Sequence, residues 1–192
     1  MHDRPLTRRN SLYSEGDEML RQQILRFCTT EIEPFGEVWE EAGEFPRDLY
    51  TKAGDAGLLG IGFVEEYGGA GGDLVHYCLV REMLCAAGFS GVRVGLMAHG
   101  IGLPPVVNHG PQAMRMEVAP RVLSGEKIIC LAISEPNAGS DVANIITKAK
   151  RVGEEYVVSG EKAFISNGVR ADYYTTAVRT GPKRYLTAVD PA

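Results

Sequence analysis

Between residues 131 and 144 the sequence LAISEPNAGSDVAN passes from apolar residues into small, acidic and turn-forming ones. The apolar segment should end at Ser134, where the backbone has to turn. Pro136 fixes one dihedral, Asn137 tolerates left-handed geometry, and Gly139 adopts it freely. A turn of this type can aim successive backbone N–H groups into one concavity, which suits a phosphate or the polar edge of a planar cofactor. Ser134 and Ser140 add hydroxyls able to donate or accept. Glu135 and Asp141 would repel an anion they faced, so they are expected to turn away and fix the loop by hydrogen bonds to its backbone. The plainer alternative is a hairpin turn that holds no ligand.

A second stretch, EKAFISNG at residues 161 to 168, carries an aromatic and a hydroxyl two residues apart. As a strand it would place Phe164 and Ser166 on one face and Ile165 on the other. Side by side they offer a stacking surface and a hydrogen-bond donor to a planar ring. Alternatively, Phe164 is core and Ser166 merely opens the Ser166-Asn167-Gly168 turn. Glu65, Glu66 and Glu135 read most simply as solvated carboxylates, and no catalytic residue is assigned. His2, His76, His99 and His109 show no metal-ligand spacing, and no metal site is expected. Cys28, Cys78, Cys85 and Cys130 lie far apart without a C-x-x-C pair, and read as buried, reduced thiols.

The elements that must position these residues change character near residue 126. Before it the period is helical: Leu20, Ile24, Phe27, Cys28 and Ile32 mark one face of a helix that Pro34 ends. A second helix is expected from Pro46 to Gly57. Asp73 should cap a long helix that stops at Gly88, apolar nearly all round and so central in a bundle. Shorter helical patterns follow at about 91 to 108 and 111 to 123. The run Tyr67 to Gly72 fits neither a dinucleotide fingerprint nor a P-loop and reads as a flexible connector. After residue 126 the period falls towards two. KIICLAIS, TKAKRV, EYVVSG, EKAFIS, DYYTTAVRT and KRYLTAVD read as six strands, with turns at Gly153-Glu154, Gly160-Glu161, Asn167-Gly168 and Gly181-Pro182. The fold class is therefore α+β: an all-α region followed by a small antiparallel β-barrel or sandwich. The boundaries are a polar tail at 1–14, a helical domain at 15–125 and a β-domain at 126–192.

Composition narrows the function classes. A net charge of -5 argues against a nucleic-acid footprint, which needs a basic face. Arg8-Arg9 and the Lys148, Lys150, Arg151 group read as solvated surface. No apolar run approaches the ~20 residues of a membrane helix. The N-terminus lacks the apolar core of a secretory signal.

LAISEPNAGSDVAN followed by SGEKAFISNG strongly resembles the flavin-binding middle domain of the acyl-CoA dehydrogenases. FCTTEIEPFGEVWEEAGEFPRDLYTKAGDAGLLGIGFVEEYGGAGGD is similar to that family's N-terminal helices and glycine-rich connector. VVNHGPQAMRMEVAPRVLSGEKIICLAISEP matches the helix leading into the β-domain, and GEKAFISNG is most similar to the long-chain-type branch. The resemblance implies FAD-dependent α,β-dehydrogenation of fatty acyl-CoA thioesters. It places FAD along Leu131, Ala132, Ile133, Ser134, Gly139 and Ser140, with Ser140 also at the acyl-CoA. Phe164, at a position often held by tryptophan, would pack on the flavin beside Ile165, and Ser166 would bond near flavin N5. Asn137 stands where glycine is common, and Asn144 where a small residue usually closes the motif. The implied partners are an acyl-CoA substrate, an electron-transferring flavoprotein and further copies of the chain, a tetramer at full length. The implied compartment is the bacterial cytoplasm, or the mitochondrial matrix in a eukaryote. The family's catalytic glutamate belongs to a C-terminal helical domain that these residues do not reach. Two other readings stay open: a non-catalytic flavin or acyl-CoA binding module, and a same-fold flavin oxidase or monooxygenase.

Overall fold

The computed structural model describes residues 13–181. The tail before Tyr13, the KRYLTAVD segment and Pro182 lie outside the described residues. Helices come first and a small sheet region follows. Two compact units divide the chain: one runs to Met97 and takes in Met116–Glu126, the other comprises Ala98–Arg115 and continues from Lys127.

The first unit is built on α1 (Glu15–Phe27), α2 (Gly36–Ala42), α3 (Asp48–Asp55), α4 (Leu74–Ala86) and α5 (Ser90–Leu96). Ser14 caps α1, its hydroxyl accepting the Asp17 N–H at 3.2 Å. The helix widens into a π turn over Cys28–Ile32, where the Thr29 and Thr30 hydroxyls both donate to the Arg26 carbonyl. Ile24, Phe27, Cys28 and Ile32 are buried, as their spacing predicts. Asp73 caps α4 by accepting the Val75 and His76 N–H groups, and Gly88 follows with a positive φ. The apolar girdle of α4 is only partly covered: Leu79, Val80, Met83 and Leu84 are buried, while Leu74, Cys78 and Cys85 are exposed. Two of the four cysteines thus differ from expectation, because they sit on the uncovered face. The glycine-rich connector also differs. The N–H groups of Gly69, Ala70, Gly71 and Gly72 donate to the carbonyls of Val64, Gly60, Phe63 and Ile61, which pins the run to the chain before it. Gly125 takes φ +78°, and a Cβ there would lie 2.1 Å from the Tyr50 carbonyl oxygen.

In the second unit the pattern expected at 91–108 is broken, giving α6 (His99–Gly102) and α7 (Pro104–His109) after α5. Helix α8 (Gln112–Leu123), most of it in the first unit, precedes the sheets. Four strands are formed among the described residues: β1 (Ile129–Ala132), β2 (Lys148–Val152), β3 (Glu155–Ser159) and β4 (Tyr173–Thr176). β2 and β3 form an antiparallel hairpin turning at Gly153, with Lys148 opposite Ser159. β1 pairs with β4 in parallel, Ile129 opposite Tyr173, where the period-two runs led to an antiparallel neighbour. The Asp172 carboxylate sets this register by accepting the Ile128 N–H at 2.8 Å.

EKAFIS is not a strand. Gly160 enters it at φ +152° against Thr147, where a Cβ would meet the Thr147 Oγ1 at 2.5 Å. Phe164 then takes φ +58°, which an extended chain cannot use. Phe164 and Ser166 therefore do not share a strand face.

Candidate functional site

β1 delivers Leu131 and Ala132 to the loop: Ala132 is buried, and Leu131, Ile133 and Ser134 are half-buried. Reciprocal bonds close the turn, Glu135 N–H to the Ala138 carbonyl at 2.9 Å and Ala138 N–H to the Glu135 carbonyl at 3.1 Å. Pro136 and Asn137 form its corners. Asn137, Gly139 and Asn144, which could all have accepted left-handed geometry, do not use it. A turn with Pro at its first corner needs only negative φ there, so the left-handed residues lie elsewhere. Gly139 and Ser140 follow the turn and are exposed.

Glu135 bonds backbone N–H groups, but it is buried where a solvated carboxylate was expected, because three donors compensate its charge. It is 3% exposed, and its carboxylate accepts the Ile146 N–H at 2.6 Å and the Thr147 N–H at 3.0 Å. A third donor, the Lys162 ammonium, sits at 2.8 Å and also donates to the Ile133 carbonyl at 2.8 Å. Burial alone would push the Glu135 carboxyl up; these donors overcome it and hold the group down at about 2. Asp141 acts more locally, its carboxylate taking the Asn144 side-chain amide and its carbonyl the Asn144 N–H at 3.0 Å.

The Ala163 N–H donates to the Ser134 carbonyl at 2.9 Å, which sets the 161–168 segment beside the end of β1. Phe164 comes next, left-handed and 96% exposed. It is therefore not core. Ile165 is half-buried, and its carbonyl accepts the Gly168 N–H at 2.8 Å as the chain turns through Asn167, left-handed at φ +64°. Ser166 is exposed. The structure thus brings Ser134 and the Phe164–Ser166 turn together, while no hydrogen bond among the described residues ties Ser140 to that turn. None engages the hydroxyls of Ser134, Ser140 or Ser166 either. Phe164 itself presents its apolar ring to solvent at the cost of backbone strain. The exposed ring and hydroxyls suit a large planar cofactor with polar edges. Lys162 was missed by sequence reasoning, because its partner Glu135 lies 27 residues away.

Residues 14–126 match the family profile of the acyl-CoA dehydrogenase N-terminal domain, and residues 130–190 that of the acyl-CoA dehydrogenase middle domain. The chain belongs to the acyl-CoA dehydrogenase family. Among its relatives in that family is the long-chain specific acyl-CoA dehydrogenase of Rattus norvegicus mitochondria. The two are 35% identical over 161 residues, covering 84% of this chain and 37% of the rat protein. A crystal structure of a probable acyl-CoA dehydrogenase from Mycobacterium abscessus superposes with TM-score 0.85 at 47% identity, covering 88% of this chain and 45% of that one. The acyl-CoA dehydrogenase of Bacillus anthracis, solved in complex with FAD, does so with TM-score 0.78 at 31% identity, covering 88% and 30%. The chain spans less than half the length of these family members. No helix among its described residues is long and apolar enough to cross a membrane.

Proposed function

We propose that this chain supplies the N-terminal helical portion (15–125, after a tail at 1–14) and the FAD-binding middle portion (126–192) of an acyl-CoA dehydrogenase acting on fatty acyl-CoA thioesters. The observation that carries the reading is Phe164, an exposed aromatic held left-handed next to Ala163, whose N–H bonds the Ser134 carbonyl. Family membership and the FAD complex of the Bacillus anthracis relative supply the identity of the planar ligand. Bound FAD would supply the hydride acceptor for α,β-dehydrogenation. Leu131, Ala132, Ile133, Ser134, Gly139 and Ser140 would line it, with Ser140 shared with the acyl-CoA. Phe164 and Ile165 would cover the ring, and the Ser166 hydroxyl would donate to its edge.

The base that takes the α-proton is not Glu135. Three donors already occupy that carboxylate, and a group held at about 2 is a feeble proton acceptor. The base belongs to the remainder of the enzyme, as do the contacts that would build a tetramer. Electrons would pass to an electron-transferring flavoprotein.

Titration of the purified chain with FAD tests the reading. Flavin fluorescence should be quenched on binding, and Phe164→Ala should weaken it. Unchanged fluorescence and no flavin retained on gel filtration at about 0.1 mM FAD, far above the range of ordinary cofactor sites, would overturn it.

A further inference from the structure

Among its described residues the second unit holds a charged pair withdrawn from water, and it lies next to the residues just discussed. The Glu135 side chain is 1% exposed and the Lys162 side chain 11%. Taking both charges out of water is expensive, so an arrangement of this kind persists only where the geometry is well satisfied. Here it is: the carboxylate has two backbone donors besides the ammonium, and the ammonium has a second acceptor in the Ile133 carbonyl.

What the pair joins is more telling than its strength. Lys162 grips residues 133 and 135, and Ala163 grips the carbonyl of residue 134 between them. Two consecutive residues therefore hold three consecutive residues. A slip of one position would bring Glu161 or Ala163 to the buried carboxylate, and neither can donate a charged hydrogen bond from its side chain. The lock thus specifies one register between the end of β1 and the segment that continues into Phe164. It also reaches the opposite side, since Thr147, whose N–H it holds, packs on Gly160 two residues before Lys162.

We propose that Lys162 is a positioning residue for the FAD site: its buried ammonium, paired with Glu135, fixes the Phe164–Ser166 turn against Ser134 before the cofactor arrives. The inference rests on the FAD reading above for its function, and on geometry alone for the lock. Lys162 touches no reacting atom; it acts through the backbone of residues 133–135 and through its chain neighbours. Left-handed Phe164 is held from one side by the Ala163 N–H and from the other by the turn through Asn167. Removing the ammonium strips the first of these holds of its neighbouring anchors at Ile133 and Glu135.

The experiment compares the wild-type chain with Lys162→Met and Glu135→Gln. Without FAD, the readout is chymotryptic cleavage after Phe164, followed by mass spectrometry. Exposed Phe164 is the preferred residue type, but a protease needs an extended chain, which the locked turn denies. Lys162→Met should speed cleavage there by about tenfold or more while other sites keep their rates. With FAD, the same variant should bind about tenfold or more weakly, the scale of loss from a small misplacement. At saturating FAD its visible circular dichroism should also differ from wild type, a signature that a general loss of stability would not produce. Unchanged cleavage at Phe164 overturns the lock, whatever happens to FAD. Faster cleavage with unchanged FAD affinity and dichroism overturns the link to the cofactor. If the wild-type chain retains no FAD, the FAD reading fails and the cleavage comparison still decides the lock. If far-UV circular dichroism shows Lys162→Met unfolded, Glu135→Gln decides, with the same direction expected at Phe164.

Discussion

Replacing Phe164 with glycine should make the chain more stable without FAD and a poorer binder of FAD. A left-handed L-residue costs about 1–2 kcal/mol, which glycine avoids. Glycine returns part of that gain, about 0.5–1 kcal/mol, through the larger entropy of the unfolded chain. Deleting the ring removes almost no burial, because Phe164 is 96% exposed. The net is a stabilisation of about 0–1.5 kcal/mol, or an increase in Tm of up to about 6 °C for a chain of this size. Phe164→Ala retains the left-handed strain and should leave Tm nearly unchanged, which makes it the control. In the presence of FAD the sign reverses, since covering a phenylalanine ring is worth about 1.5–3 kcal/mol. That is a loss of about tenfold to a hundredfold in affinity for Phe164→Gly. Thermal unfolding followed by circular dichroism, at several FAD concentrations, gives both quantities from one set of samples. A Phe164→Gly chain that melts below wild type without FAD would refute the reasoning, because it would mean that the ring is held by contacts and not by the backbone on either side.

Acid should weaken the fold through Glu135. Its carboxyl is lowered from 4.5 to about 2 in the folded chain, so the stability it contributes is present above the unfolded value and lost as pH falls from about 4.5 through 2. Asp17, lowered by the Ser14 hydroxyl, and Asp73, lowered by the His76 N–H, act in the same direction. Urea midpoints measured from pH 6 downward should therefore fall more steeply for wild type than for Glu135→Gln. Gly125→Ala should destabilise by about 3 kcal/mol, the sum of left-handed strain and a forced shift of packed backbone. A urea midpoint equal to that of wild type would show that Tyr50 can move away from the new methyl group.

The residues that proved legible in the sequence are those whose partners lie nearby or repeat with a period. Ile24, Phe27, Cys28 and Ile32 announce a buried helix face, Asp73 announces its cap, and Gly153 announces a hairpin. Glu135 was legible only in part: its bonds to backbone N–H groups were expected, whereas its burial against Lys162 was not. EKAFIS misled because its alternation is that of a strand, although Lys162 turns inwards to a carboxylate 27 residues away. Nothing local in the sequence announces that partner. The same holds for Phe164, whose left-handed φ is imposed by bonds on both sides and not by its own preference. For α4 the composition described a fully covered helix, but covering depends on neighbours, and Leu74, Cys78 and Cys85 have none among the described residues that bury them. The parallel pairing of β1 with β4 was equally hidden, because a period of two carries no strand direction.

That parallel pair has a consequence for how the chain assembles. Ile129 and Tyr173 are 44 residues apart, and joining them in one step would close a long loop of disordered chain. The β2–β3 hairpin lies wholly inside that loop and needs only its own tight turn, so it can form first. Once it has, the junction of Ser134 with Ala163 becomes a short reach. From there only about 15 residues remain to be closed before β4 lies against β1, which lowers the entropic cost by about 1 kcal/mol. The contact that aligns two walls of the proposed FAD site is thus also a halfway station in folding: the hairpin, then the Ser134–Ala163 junction, then the parallel pair, each step bringing the next within reach.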